Sequence, residues 1–138
     1  MAATVGYSRA VRVGPHVHIA GTAPIMPGEQ APPPDAYAQA RRSLDIIVAA
    51  LREVGAGPED VVRTRAYLID ADDWKAVGRA HGEVFGSVQP VTAFIVVKGL
   101  LDPRWREIGV SAVHAASAPG TYNGMDVTIV TTDFGVRR

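Results

Sequence analysis

Residues 37–69 read YAQARRSLDIIVAALREVGAGPEDVVRTRAYLI, and they hold an amphipathic helix, its stop signal, a tight turn and a strand in unbroken order. Apolar side chains recur there every three or four positions, which places one apolar stripe on an α-helix. Asp35 is suited to cap the first turn, because its side chain can accept from free N–H groups, and Gly55 is suited to end the helix in a left-handed conformation. The apolar positions are Tyr37, Ala40, Leu44, Ile47, Val48, Leu51 and Val54.

The pattern changes after the turn at residues 57–60, where apolar and polar side chains begin to alternate. Such alternation is typical of a β-strand with two different faces. The predicted inner positions are Val62, Thr64, Ala66 and Leu68. The predicted outer positions, on a wet or functional face, are Arg63, Arg65 and Tyr67.

The bulk composition bounds the class of protein. The chain has 138 residues, 47% of them hydrophobic, which suits one domain with a buried core. Fourteen basic residues balance fourteen acidic ones, so no net field attracts nucleic acid or an anionic membrane. The absence of cysteine excludes disulfides, thiolate metal sites and cysteine nucleophiles. No apolar run approaches the roughly 20 residues that span a bilayer, and we expect a cytoplasmic protein.

The remaining segments complete an α+β order. Residues 8–13 and 16–20 are predicted to form a hairpin. A second, weaker helical stripe covers residues 74–85, where Gly78 and Gly82 cost helix stability. Residues 91–97 are a predicted strand too apolar to be exposed on either face, and residues 106–115 are another. This order predicts a single sheet covered on one face by two helices.

The other face of this sheet has no cover within one chain. We expect Tyr67, Phe94, Val96 and Val97 to leave apolar area on it, and copies of the same chain to bury that area. The β-branched residues 127–132 predict a further strand, or a segment packed on a neighbour. We divide the chain into a domain of residues 1–116 and a C-terminal extension of the same domain, residues 117–138.

A set of spaced positions between residues 6 and 115 carries a family resemblance. The matching positions include Tyr7, Gly21-Thr22, Tyr37-Ala38-Gln39-Ala40-Arg41, Leu44, Gly55, Asp60-Val61-Val62, Tyr67-Leu68, Asp70, Phe85, Pro90 and Glu107-Ile108. In these the chain resembles the YjgF/RidA (Rid) family, historically labelled L-PSP endoribonuclease. The resemblance implies a chorismate-mutase-like α+β fold, a homotrimer packed through its sheet faces, and ligand pockets at the subunit interfaces. It also implies hydrolysis of reactive enamines and imines to keto acids and ammonia.

The resemblance assigns pocket roles by position. The pocket tyrosine falls on Tyr7 and the carbonyl-binding backbone on Gly21. The catalytic arginine falls on Thr92, a pocket cysteine on Phe94, and the glutamate that orients water on Gly109. An arginine grips a carboxylate with two parallel hydrogen bonds, which threonine and phenylalanine cannot do. The resemblance is therefore to a divergent member that lacks the usual catalytic arginine.

Two residues are candidates to replace the missing catalytic groups. Glu107 lies one pleat repeat, roughly 7 Å, from Gly109 and could activate water from there; the alternative is a structural ion pair. Arg65, like Arg63, could restore a guanidinium, or could make ordinary surface or interface ion pairs. Phe94 could be a core residue or an apolar wall of an interfacial pocket.

Histidines do not form a convincing metal site in the sequence. His16 and His18 share a strand face, but no third ligand is evident. His81 and Glu83 are two positions apart on a helix and do not face each other. We predict no metal and no cofactor.

Three functions follow from these residues. We favour a small-molecule hydrolase or deaminase of enamines, imines or related reactive metabolites, with poor activity on 2-aminoacrylate-type imino acids because Thr92 cannot bind their carboxylate. The alternative is a non-catalytic trimer that binds a metabolite or a partner protein. A ribonuclease ranks last, because the chain has no basic and aromatic stripe. The expected partners are a small-molecule ligand and further copies of the chain, with no nucleic acid and no membrane.

Overall fold

The computed structural model describes the backbone of residues 2–114 and 127–130 and the side chains of residues 4–106. The helices are α1 (Ala2–Val5), α2 (Ala36–Glu53) and α3 (Trp74–Phe85). The strands are β1 (Ala10–Val13), β2 (His16–Ile19), β3 (Val61–Leu68), β4 (Val91–Val96), β5 (Glu107–His114) and β6 (Val127–Val130). No helix in the described part of the chain is long and apolar enough to cross a bilayer.

The strands form one sheet in the order β4-β3-β5-β2-β1-β6. β3 and β4 are parallel, because α3 connects them, and the other neighbouring strands are antiparallel. Helices α2 and α3 pack on one face, so the predicted α+β fold with a single mixed sheet is confirmed. β6 lies beside β1, which confirms the predicted further strand for Val127–Val130. The proposed division at residues 116 and 117 lies outside the described residues.

Helix α2 has the ends that its sequence predicts. The Asp35 carboxylate accepts from the backbone N–H of Ala38 at 2.8 Å, and Gly55 adopts a φ of 78° just after the last turn. A contact that the sequence did not predict strengthens the C-terminal end, where Nη1 of the buried Arg12 donates to the carbonyl oxygen of Val54 at 2.6 Å. The apolar stripe between these ends faces the core, with Ile47 and Leu51 buried.

One residue of β3 lies on the wrong side of the predicted alternation. Val62 is 52% exposed, whereas Val61 is buried. A register shift against β5 occurs between Val61 and Arg63, and such a bulge adds one residue and reverses the side-chain parity before it. Beyond the bulge the prediction is confirmed: the inner residues are Thr64, Ala66 and Leu68, and the outer ones are Arg63, Arg65 and Tyr67.

The face without helices differs from the prediction. Parallel pairing places Phe94 beside Ala66 and Val96 beside Leu68, so both lie on the helix side, and assigning them to the uncovered face was wrong. Tyr67 does lie on the uncovered face, next to Ile95. The physical reason is the register between β3 and β4, which sets the parity of the whole strand.

Strand β4 also differs from the prediction that both of its faces are buried. It lies at an edge of the sheet, and in the single chain Val91 is 62% exposed on the uncovered face. On the helix side α3 covers β4 only in part, so that Phe94 remains 37% and Val96 54% exposed. A single chain therefore leaves apolar area on both faces of this edge.

Candidate functional site

The predicted pocket residues form two separate groups in the chain. Thr92 and Phe94 lie on β4, at one edge of the sheet. Gly21 follows β2, and Tyr7 precedes β1. Because β2 is three positions from β4 in the sheet, these two strands are ~14 Å apart at the usual strand spacing. One chain does not bring them together.

Thr92 belongs to a chain of hydrogen bonds. Its hydroxyl donates to the carbonyl oxygen of Pro90 at 2.9 Å and lies 2.9 Å from the hydroxyl of Thr64. The Thr64 hydroxyl in turn lies 2.8 Å from Nε2 of His81 on α3. Burial lowers the pKa of His81, so the imidazole is neutral near pH 7. The position that the resemblance gives to an arginine is thus surrounded by uncharged polar groups.

Phe94 forms an apolar wall beside this chain. Its ring meets the His81 ring edge to face, with centroids 6.3 Å apart. A β-carbon placed on Gly78 would lie 3.9 Å from the Phe94 ring, so the ring rests against the least bulky position of α3. The His81 ring also packs on the ring of Phe85, with centroids 4.8 Å apart. The site therefore combines one exposed hydroxyl with one half-exposed aromatic ring.

The two catalytic candidates occupy different faces of the sheet. Arg65 is paired with Ala93 on β4 and with Val110 on β5, which places it on the uncovered face, opposite to Thr92. Glu107 is paired with Leu68, and Gly109 with Ala66. These two positions are therefore on the same face of the sheet as Thr92 and Phe94.

The second group is organised by a buried arginine that the sequence did not reveal. Nη1 of Arg9 donates to the carbonyl oxygen of Gly21 at 3.2 Å and to the hydroxyl of Thr22 at 2.7 Å. Desolvation lowers the pKa of Arg9 to about 10, and the nearby Tyr7 opposes that change. The buried guanidinium of Arg9 thus fixes the carbonyl of Gly21, which is itself exposed. The alternation of β1 could have revealed Arg12, which shares a face with Ala10, but no such signal exists for Arg9.

Of the residues considered as metal ligands, Glu83 and His81 make other contacts. Glu83 accepts a hydrogen bond from the Tyr37 hydroxyl at 2.8 Å and pairs with Arg41 at 3.4 Å, which ties α3 to α2. His16 and His18 are exposed on the uncovered face. Within residues 4–106, whose side chains are described, no three His, Asp or Glu side chains form a group that could hold a metal ion.

Comparisons with known proteins agree with this fold. A family model described as Endoribonuclease L-PSP matches residues 1–114. Protein SCO2049 of Streptomyces coelicolor is 42% identical over 99 residues, which are 72% of this chain and 74% of that protein. The crystal structure of Rv2704 from Mycobacterium tuberculosis, a member of the YjgF/YER057c/UK114 family, is similar with a TM-score of 0.75 and 38% identity, covering 83% of this chain and 91% of that one.

A third relative has an activity in its name. The 2-iminobutanoate/2-iminopropanoate deaminase of Escherichia coli is 31% identical over 79 residues, which are 57% of this chain and 62% of that protein. The match of residues 1–114 to the family model covers most of the chain, and the similarity to Rv2704, a member of the YjgF/YER057c/UK114 family, agrees with it. This chain therefore belongs to the YjgF/RidA family.

Proposed function

We propose that this protein hydrolyses imines, enamines or related reactive small molecules that lack the carboxylate of 2-aminoacrylate-type imino acids. The observation that carries the proposal is the environment of Thr92, whose described neighbours are Thr64, His81 and Phe94. None of these side chains is a cation near pH 7, so none offers a carboxylate a charge-assisted hydrogen bond. Membership of the family, and the deaminase among its relatives, support the reaction class.

The proposed pocket forms between copies of the chain. The Thr92 group and the Gly21 group are at opposite parts of one sheet, and the uncovered face exposes apolar residues such as Val91. We propose a homotrimer in which sheet faces pack together and each pocket takes one group from each of two neighbours. Interfaces that bury such a face are obligate and apolar.

The proposed trimer is tested by light scattering. The expected mass is three times 14.6 kDa, and Ile95→Arg, which puts a charge on the uncovered face, should lower it. Asp45→Arg, on the exposed side of α2, is the matched control and should leave the mass unchanged. A mass of about 15 kDa for the unmodified protein at micromolar concentration would refute the trimer.

Hydrolysis of an imine requires water to add to the carbon of the C=N bond while the nitrogen takes up the protons that the water loses, after which the C–N bond breaks, the carbonyl forms and ammonia leaves. We propose Glu107 as the base that takes the proton from this water, because its register places it on the face of Thr92 and Phe94. Tyr7 and the backbone of Gly21 would orient the substrate from the neighbouring copy. Arg65 lies on the face proposed to pack on a neighbour, so its guanidinium would act in the pocket of a neighbouring copy.

The substrate proposal is tested by ammonia release from imines generated in situ. We expect slow turnover of 2-iminopropanoate, and Thr92→Arg should accelerate it, since a lost charge-assisted contact costs roughly 2–5 kcal/mol, or about 30-fold to several-thousand-fold in rate. Thr92→Met, of similar length but uncharged, is the matched control and should not help. Imines of neutral ketones or aldehydes should be the better substrates of the unmodified protein.

Two results would contradict this proposal. Rapid hydrolysis of 2-iminopropanoate by the unmodified protein, abolished by Arg65→Ala, would show that an arginine from the other face supplies the contact. The absence of acceleration with every imine would favour the second candidate, a non-catalytic trimer that binds a metabolite. That candidate is favoured by Thr92 itself, because its only hydroxyl hydrogen is already donated to Pro90. Ligand-induced stabilisation without turnover would identify it.

A further inference from the structure

The hydrogen bonds around Thr92 run in one direction. The three contacts are Thr92 to the Pro90 carbonyl at 2.9 Å, Thr64 to Thr92 at 2.9 Å, and His81 Nε2 to Thr64 at 2.8 Å. A carbonyl oxygen only accepts, and each hydroxyl has one hydrogen to donate. The Thr92 hydrogen therefore goes to Pro90, the Thr64 hydrogen goes to Thr92, and His81 must donate to Thr64.

This direction determines the tautomer of His81. Nε2 carries a hydrogen, and Nδ1 of the neutral ring does not. Protonation of the ring would add a hydrogen at Nδ1 and leave Nε2–H in place, so both charge states donate to Thr64. Thr64 is buried, which prevents water from replacing these partners. The donor-to-acceptor direction of these hydrogen bonds, from His81 through Thr64 to Thr92, is thus the same in both charge states of His81.

The Thr92 hydroxyl can then accept one further hydrogen bond, but it has no hydrogen left to donate. A hydroxyl oxygen has two lone pairs; one accepts from Thr64, and the other is left on an exposed residue. We infer that the Thr92 hydroxyl accepts a hydrogen bond from the ligand, so that the ligand carries a donor group at this point of the pocket. His81 is a positioning residue, which acts through Thr64 and does not touch the ligand.

This inference names the substrate class of the proposed pocket and rests on the proposed function. The donor group is an amide N–H, an amine, an iminium N–H or a hydroxyl, and a carboxylate, which only accepts, is disfavoured next to the free lone pair. Phe94 offers an apolar surface beside it. Imines and enamines that carry a neutral N–H or O–H donor at this point, such as those derived from keto amides, therefore fit this place better than keto or imino acids.

The binding test compares two probes of nearly equal shape, pyruvamide and pyruvate, on the assembled protein by ligand-observed NMR. We expect pyruvamide to bind about tenfold more tightly, the effect of about one good hydrogen bond. Thr92→Val, which removes the acceptor, should abolish the preference, and Thr92→Ser, which keeps the hydroxyl, should retain it. Equal binding, tighter binding of pyruvate, or a preference that survives Thr92→Val would overturn the inference, as would binding of neither probe.

The role of His81 has its own readout. Nitrogen NMR of the imidazole, assigned among the 4 histidines with a His81→Phe variant, should show hydrogen on Nε2 and none on Nδ1. His81→Phe preserves ring packing but donates nothing, so Thr64 can turn and the pyruvamide preference should fall to about threefold or less. His81→Gln, which offers an amide N–H, should restore it. An Nδ1–H tautomer, or an unchanged preference in His81→Phe, would show that His81 does not position Thr92.

The two proposals fail in different ways. Binding of these ketone probes needs no turnover, so a pyruvamide preference without imine hydrolysis rejects the hydrolase and supports the acceptor. Hydrolysis of imines with no such preference rejects the acceptor and supports the hydrolase.

Discussion

Helices α2 and α3 cover the same sheet face to very different extents. Under α2 the strand residues Val17 and Ile19 are buried completely or nearly so, while at the edge beside α3 Phe94 and Val96 keep 37% and 54% of their surface exposed. α2 has 18 residues and α3 has 12, two of them the glycines Gly78 and Gly82. The sheet under α2 is covered completely, whereas beside α3 the edge strand β4 remains partly exposed. The two parts of this sheet face therefore differ in how completely one chain buries them.

The largest effect should come from a cavity in the α2 half. Leu51→Ala removes a fully buried side chain and should lower the free energy of unfolding by about 2–5 kcal/mol. Phe94→Ala, in the α3 half, should cost about 1–2 kcal/mol, since the ring is already partly in water. Urea unfolding at one protomer concentration measures both. Equal losses would show that Phe94 is buried in solution and that the α3 half is packed as closely as the α2 half.

A smaller effect is expected where α2 ends. Gly55 has a φ of 78°, and a β-carbon there would lie 3.0 Å from Nη1 of Arg12. Gly55→Ala should therefore lower the free energy of unfolding by about 1–2 kcal/mol, through backbone strain and displacement of the arginine. The measurement is urea unfolding. A free energy of unfolding equal to that of the unmodified protein would show that the end of α2 accommodates the β-carbon without loss of stability.

The corresponding glycine change in α3 should have the opposite sign. Gly82 lies inside the helix, and a β-carbon there would meet no atom within 4 Å. Gly82→Ala should raise the free energy of unfolding by about 0.5–1 kcal/mol, because alanine loses less entropy in a helix. Destabilisation by Gly82→Ala would mean that the space beside α3 is occupied in the assembled protein, and would sharpen the difference between the halves.

The smallest effect concerns pH. Burial lowers the pKa of His81 below its ordinary 6.5, so the unfolded chain takes up a proton at this site before the folded protein does. Stability should therefore be unaffected by His81 above pH 6.5 and should fall as the pH drops from 6.5 through the folded pKa. Unfolding of the unmodified protein and of His81→Phe across this range isolates the effect, which the variant should lack. Parallel curves for the two proteins would contradict it.

The local parts of the fold were predictable from the sequence because their signals are local. The cap at Asp35, the apolar spacing of α2 and the left-handed Gly55 all act within a few residues of one another. The alternation of β3 likewise predicts its inner and outer residues as far back as Arg63. Val62 escapes the prediction, since a bulge exists only in relation to the paired strand β5.

The candidate site was predictable only in part. The resemblance located Thr92 and Phe94, but not their partners, because Thr64 and His81 are 17 residues apart and meet through the packing of α3 on β3. The burial of Arg9 was equally hidden, since its partners Gly21 and Thr22 follow the next strand. Such contacts depend on how elements are placed, which no short pattern encodes.

Periodicity and end signals act along the chain, and they alone determined that two helices and alternating strands would form an α+β fold. The register of β4 against β3 decided which face of the sheet each β4 residue occupies, and the packing of α3 on the sheet decided that His81 contacts Thr64. Register and helix placement minimise the free energy of the whole sheet at once, since a shift of one residue would exchange its two faces. The tertiary structure therefore decided which side chains meet at the candidate site, on helices and strands that the sequence already predicts.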